Sequence, residues 1–201
     1  MRKSFTFILL FFSFTSLAEI KGQYDAQAKR VIIHRDGWGI PHIYGKTDAD
    51  AVFGLMFAQC EDDFARVEMN YIEKLGRMSE VKGEKEQAYD LYIKLIIDAN
   101  EAKEEYKTSP LWLKKLLNAY ADGINYFLKK HPEIKPRLIT HFEPWFPLLW
   151  TDGSIGAIST GDITENETAL FYGLPKQSAQ VKYQNPDEKL TGSNGFAVGP
   201  S

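Results

Sequence analysis

Apolar and polar residues recur with two different periods along the chain, and the change of period divides it into regions. Val31-Ile32-Ile33-His34-Arg35 and Ile40-Pro41-His42-Ile43-Tyr44 are short β-type runs. The Asp36-Gly37-Trp38-Gly39 segment between them carries glycines suited to the positive φ of a tight reversal, so this stretch predicts a hairpin. Thr47-Asp48 then reads as a helix cap, and apolar residues follow at Val52, Met56, Cys60, Phe64, Val67, Tyr71, Leu75 and Met78. Their spacing of three or four predicts one long amphipathic helix, broken near Gly76. A second helix is predicted from Ser109 as cap and Pro110 in the first turn, with Leu113, Leu116, Leu117, Tyr120, Ile124, Phe127 and Leu128 on one face. It should stop before Pro132.

From Pro132 to Trp150 prolines and aromatics crowd together, which predicts an irregular but packed connection. Small residues run from Gly153 to Gly161, and acidic ones follow at Asp162, Glu165 and Glu167. The stretch from Tyr183 to Thr191 is polar and turn-prone and reads as an exposed loop leading into Gly192-Ser193.

Composition changes this picture mainly at the amino terminus. Arg2 and Lys3 precede an apolar run from Phe5 to Phe14 that ends in Ser16-Leu17-Ala18, so residues 1–18 read as a signal peptide and the protein as periplasmic or secreted. Without them the chain carries 22 basic and 27 acidic side chains, which argues against nucleic acid or an anionic membrane surface as a partner. No stretch approaches the roughly 20 apolar residues of a spanning helix, so no membrane anchor is expected. The single cysteine, Cys60, has no partner for an internal disulfide. Some two hundred residues suffice for one sizeable core.

Few residues point to chemistry on their own. None of the four histidines lies three or four positions from another, and there is no paired-cysteine or phosphate-cradling glycine pattern. His42, in a predicted strand, reads as a satisfied, partly buried histidine. Cys60 falls on the apolar helix face and reads as core. Glu61, Asp62 and Asp63 read as a solvated face from which Asp62 can reach a neighbouring segment. The segment Thr191-Gly192-Ser193-Asn194-Gly195-Phe196-Ala197-Val198 differs, because a polar loop delivers a Gly-Ser bond into an apolar alternating run. By itself such a turn is commonplace.

Several blocks, in order, carry a family resemblance. Asp36-Gly37-Trp38-Gly39-Ile40-Pro41-His42-Ile43, Cys60-Glu61-Asp62-Asp63-Phe64 with Glu68 and Met69, Gly76 to Gly83, Glu143-Pro144-Trp145 and Ser193-Asn194-Gly195-Phe196 resemble the penicillin acylases and the related acyl-homoserine-lactone and cephalosporin acylases. The resemblance covers nearly everything from Val31 to Ser201.

This resemblance implies an α+β fold. The chain would be the mainly helical small-subunit portion of an αββα amino-terminal-nucleophile hydrolase, with an early β-hairpin and the first strand of the large subunit. Residues 19–182 would form the small-subunit region, 183–192 a spacer, and 193–201 the start of a large subunit that continues beyond the chain. The implied reaction is hydrolysis of the amide bond of small N-acyl compounds, such as an acyl-homoserine lactone, a lipopeptide or a β-lactam side chain. Ser193 would be the nucleophile and Gly192-Ser193 the bond cut to free it. The oxyanion-hole donors would come from the large subunit, so this portion alone should be inactive. No cofactor is implied for catalysis. A structural calcium ion is, with Glu167 or Glu165 as one ligand. Trp145 to Trp150 would be among the apolar surfaces covered by the large subunit. Two departures stand out: Asp63 occupies a position where the family usually has arginine, and Ile155 to Gly161 lacks the bulky acyl-pocket side chains of the penicillin-G-type enzymes. The alternatives are a non-catalytic secreted helical binding module, with Ser193 a turn residue, and a pseudoenzyme of the same fold.

Overall fold

A computed structural model describes residues 24–149 and 163–175. Within them the chain is mainly helical with one two-stranded antiparallel sheet. After a helical turn over 24–28 come β1 (Val31–Arg35) and β2 (Pro41–Gly45), then α1 (Asp48–Lys74), α2 (Met78–Lys82), α3 (Gln87–Ile96), α4 (Ala99–Thr108), α5 (Leu111–Lys130) and α6 (Glu165–Phe171). Short 3-10 turns occur at Glu84–Glu86 and Phe146–Leu149. The chain divides into two compact units, residues 24–72 with 99–149 and residues 73–98 with 163–175 among those described.

The hairpin forms as predicted, in the register Ile33 to Ile43 and His34 to His42. Asp36 closes its turn. One carboxylate oxygen accepts from the amides of Trp38 (2.9 Å) and Ile40 (3.0 Å), and Gly39 supplies the positive φ of 81°. The inner face of the hairpin sits on α1 at Gly54, where a Cβ would lie 2.5 Å from Val31 Cγ1 and 2.8 Å from Ile43 Cγ2. Only a residue without a side chain lets the sheet approach that closely.

Helix α1 starts where the sequence places it, with the Thr47 hydroxyl accepting from the Asp50 amide at 3.2 Å. Its apolar row is buried at Met56, Cys60, Phe64 and Tyr71. The break near Gly76 is present: α1 ends at Lys74 and Gly76 takes φ of 60°, beside the Asp90 carbonyl. A second interruption has no counterpart in the predicted helix. At Asp63 the backbone leaves the helical region (φ −161°, ψ 76°), and the Asp63 carboxylate accepts from the Arg66 amide at 3.0 Å. Asp63 therefore caps a new helical segment inside α1.

The predicted second helix is α5, and its start corrects one assignment. Ser109 does not cap it, because its hydroxyl donates to the Glu105 carbonyl of α4 at 2.7 Å, and Pro110 occupies the cap position without a side-chain bond. The end before Pro132 holds. Residues 84–108, given no element from the sequence, contain α3 and α4.

The core of the first unit joins α1, α4, α5 and the 132–149 connection. Phe53, Met56, Ile72, Leu117, Ile124, Phe127, Ile139, Phe142 and Leu149 are buried in it. Aromatic contacts link Phe64 to Phe127 (5.7 Å between centroids), Phe64 to Phe142 (6.1 Å) and Tyr71 to Phe146 (5.4 Å). The expected apolar surface at the end of the connection is partly exposed among the described residues: Phe146 and Leu149 are buried, whereas Trp145, Pro147 and Leu148 are half-buried, Trp145 packing under the Lys103 ammonium at 4.9 Å. Trp150 lies outside the described residues. In the second unit, the Asp90 carboxylate of α3 accepts from the amides of Met78 (2.7 Å) and Ser79 (2.8 Å) and so fastens the start of α2.

Candidate functional site

Of the candidate site residues, Glu165 and Glu167 belong to the described structure, whereas Ser193 and Gly192 lie outside it, as do residues 1–18, 155–161 and 183–192. Both glutamates stand in the first turn of α6, where a carboxylate complements the helix amides. Glu167 completes a capping box: its Oε2 accepts from the Thr164 amide (2.7 Å) and hydroxyl (2.8 Å), while its own amide donates to Thr164 Oγ1 (3.3 Å). Those bonds to Thr164 hold the Glu167 carboxyl below the usual carboxylate range. Glu165 lies near Tyr89 of α3, a tyrosine whose hydroxyl donates to Glu73 and whose pKa is pushed up first by burial and then by that bond. Among the described residues, no group of three or more His, Cys, Asp or Glu side chains is placed to hold a metal ion.

Among the described residues, the motif blocks act as fasteners of the scaffold. Asp36 holds the hairpin turn and pairs through its second oxygen with His42 Nε2 at 3.0 Å. His42, expected to be partly buried, is satisfied but exposed. The His42 contact, aided by the Trp38 amide, lowers the Asp36 carboxyl. Asp62 does reach a neighbouring segment: its carboxylate lies 2.8 Å from Arg35 at the end of β1, and Glu61 meets the same guanidinium at 3.2 Å. Asp63, in the position expected to hold arginine, makes its ion pair locally with Arg66 at 3.0 Å. Cys60 is core, and burial pushes its thiol up to about 12, so it is inert as a nucleophile near neutral pH.

Of the most consequential buried polar residues, Glu68 stands in a motif block but was given no role from the sequence, and Asn125 and Asp50 were not singled out. Glu68 is 1% exposed, and its Oε1 accepts from the amides of Leu138 (2.8 Å) and Ile139 (3.0 Å). Asn125 of α5 exchanges two bonds with the backbone of Phe142, accepting at 2.8 Å and donating at 2.9 Å. Asp50 is fully buried beneath Arg30, whose guanidinium contacts it at 2.7 Å and holds its carboxyl low. The sequence did carry one signal. Glu68 falls four residues after Phe64 and three before Tyr71, on the buried row, where a carboxylate has to find donors.

A groove of about 460 Å³ lies between β1, α1 and α5, walled by Val31, Ile33, Phe53, Phe57 and Tyr126, with Arg35 and Glu61 at its polar side. Its lining is part apolar and part polar, and its Arg35 guanidinium is paired with Glu61 at 3.2 Å. On α5, burial raises the Asp122 carboxyl to about 6, with no specific charge partner behind the shift.

A family model described as penicillin amidase matches residues 30–201. The chain belongs to the penicillin amidase family. Among curated relatives of this family, the penicillin acylase 2 proenzyme of Pseudomonas sp. (strain SE83) is 30% identical over 120 residues, covering 58% of this chain and 16% of that protein. An acyl-homoserine lactone acylase of Pseudomonas fluorescens (strain Pf0-1) is 28% identical over 109 residues, 54% of this chain and 13% of its own length. The chain thus spans about one-sixth or less of the curated relatives it matches. Among solved structures, a thermostable penicillin G acylase from Alcaligenes faecalis superposes with a TM-score of 0.57 at 19% identity, covering 85% of this chain and 98% of that one. The penicillin amidase resemblance therefore extends to the fold, a mainly helical chain with an early antiparallel hairpin.

Proposed function

We propose that this chain is the amino-terminal part of a secreted acylase precursor that hydrolyses the amide bond of small N-acyl compounds, with Ser193 as nucleophile once the Gly192-Ser193 bond is cut. The observation that carries the reading is the extent of the family match: it runs from residue 30 to residue 201 and so includes that bond. The relatives add the substrate class, being a penicillin acylase and acyl-homoserine lactone acylases. The complete enzyme would place strands of both subunits in an αββα sandwich, with the described helices wrapped around it.

The proposed chemistry needs few parts. Ser193 Oγ attacks the Gly192 carbonyl, the amide becomes an ester, and water cleaves that ester to release a carboxylate on Gly192 and an α-amino group on Ser193. Glycine suits the position because it leaves its carbonyl open and tolerates an unusual backbone. An α-amino group titrates near roughly 7.7–8.0, so a useful fraction is neutral at neutral pH and serves as the base for its own hydroxyl. The same Oγ then attacks the substrate carbonyl, the amine leaves with the proton, and water hydrolyses the acyl-enzyme. Fixed donors for the oxyanion would come from the large subunit.

The calcium ion stays part of the proposal as a structural element. Calcium takes six to eight oxygen ligands, more than α6 offers, so Glu165 or Glu167 would supply one and the rest would come from residues beyond those described. Glu167 spends Oε2 on Thr164 and keeps Oε1 for such a role.

Expression of the full-length precursor tests the reading directly. Intact mass and amino-terminal sequencing should find two chains, the second starting at Ser193, and Ser193→Ala should give one uncut chain without activity. A single uncut wild-type species would overturn it, leaving a binding module or a pseudoenzyme. Acyl-homoserine lactones of varied length, run against phenylacetyl amides, would fix the acyl preference.

A further inference from the structure

The outer face of the hairpin carries a feature unused by the proposed reaction. His34 and His42 are direct cross-strand partners, their rings 6.4 Å apart between centroids and tilted by 42°, and both are exposed. Directly opposed residues on one sheet face hold their Cβ atoms about 4.5–5.5 Å apart, a separation the backbone fixes in advance. Asp36 adds a constraint on one ring. A carboxylate only accepts, so in the neutral ring its 3.0 Å contact with His42 Nε2 places the proton on that nitrogen and leaves Nδ1 with the lone pair. A carboxylate behind an imidazole is the arrangement that orients metal-binding histidines and raises their basicity.

We propose that His34 and His42 form a two-histidine chelate for a borderline divalent transition metal such as Zn2+ or Ni2+, with Asp36 orienting His42. Two imidazole nitrogens suit ions of this class better than Ca2+ or Mg2+, which select oxygen. To share one ion at metal-nitrogen lengths of about 2.0–2.1 Å the rings need to close from their 6.4 Å separation, a side-chain rotation open to exposed residues on a fixed register. Two protein ligands leave the remaining positions to water, so the affinity is modest and the ion exchangeable. His131 and His141 do not belong to this pair: His131 contacts Glu133 at 2.9 Å and packs on Phe127, and His141 lies 3.9 Å from Glu143.

The test is isothermal titration of the untagged full-length protein with ZnCl2 and with NiCl2, beside His34→Ala, His42→Ala and Asp36→Asn. The wild type should bind one ion. Either histidine substitution should weaken binding at least tenfold, and Asp36→Asn should weaken it several-fold while both imidazoles remain. Because His34 is exposed and makes no bond that holds the turn, His34→Ala keeps the hairpin, and an unchanged circular dichroism spectrum and melting temperature would establish this. Ion binding by His34→Ala equal to wild type, or no binding by the wild type, would overturn the proposal.

Discussion

The hairpin at 31–45 and the connection at 132–149 solve opposite problems. The hairpin is regular yet exposed: its backbone pairs with itself, and Ile32, Trp38 and Tyr44 stand in solvent at 67%, 79% and 62% exposure. The connection has almost no regular structure yet supplies Ile139, Phe142, Phe146 and Leu149 to the core. A strand pair satisfies its own amides, but an irregular segment that is buried must borrow acceptors from elsewhere. Here the lenders are two side chains on the long helices, Glu68 for Leu138 and Ile139, and Asn125 for Phe142. Burial therefore follows the apolar residues and not the regularity of the backbone. Its cost falls on polar residues far away in sequence.

If that contrast is right, the largest effect belongs to Glu68. Glu68→Ala strands a buried amide at Ile139 and a half-buried one at Leu138, and should lower the unfolding free energy of the full-length protein by about 3 kcal/mol, measured by urea denaturation. Glu68→Gln keeps an acceptor and should lose clearly less. Asn125→Ala removes one acceptor and one donor from Phe142 and should cost about 2 kcal/mol in the same assay. A smaller, pH-dependent effect belongs to Arg30. The Asp50 carboxyl is held low in the folded state, first by its Arg30 hydrogen bonds, so its contribution is complete above the unfolded value of about 3.9 and is lost as pH falls through the folded value. Arg30→Met raises that folded value and should move the midpoint of acid unfolding, followed by circular dichroism, to higher pH. At the bottom of the scale, Trp38→Ser on the exposed hairpin should change the stability of the free precursor by less than about 0.5 kcal/mol. A large loss there would mean that the outer face is covered, and the contrast between the two regions would collapse.

What was legible in the sequence follows the same physics. Periodicity located the hairpin, both long helices, the break at Gly76 and the packed character of the connection, because each is a local consequence of spacing or of glycine and proline. The kink at Asp63 was missed although aspartate is a common cap, because the apolar row runs through it without a gap in spacing. The Ser109 cap failed because the hydroxyl found the end of the preceding helix first. Helices α3 and α4 lie in a stretch of mixed charge where only a few positions, such as Ala88, Asp90, Ile93 and Ala102, are buried, so the apolar pattern is thin. The motif blocks announced a family, yet the described ones turn out to be hinges, caps and clasps. In the proposed reaction the chemistry would rest on the one block, Gly192-Ser193, that composition alone left ordinary.

The interruption at Asp63 also changes how α1 should be counted. A 27-residue rod would have one fraying end near each terminus, but a cap in its middle creates a second pair of ends. The first amides of a new helical segment look for acceptors outside it, and here the Asp63 carboxylate offers one to Arg66. Solvent deuterium should therefore enter this helix from its centre as readily as from its tips.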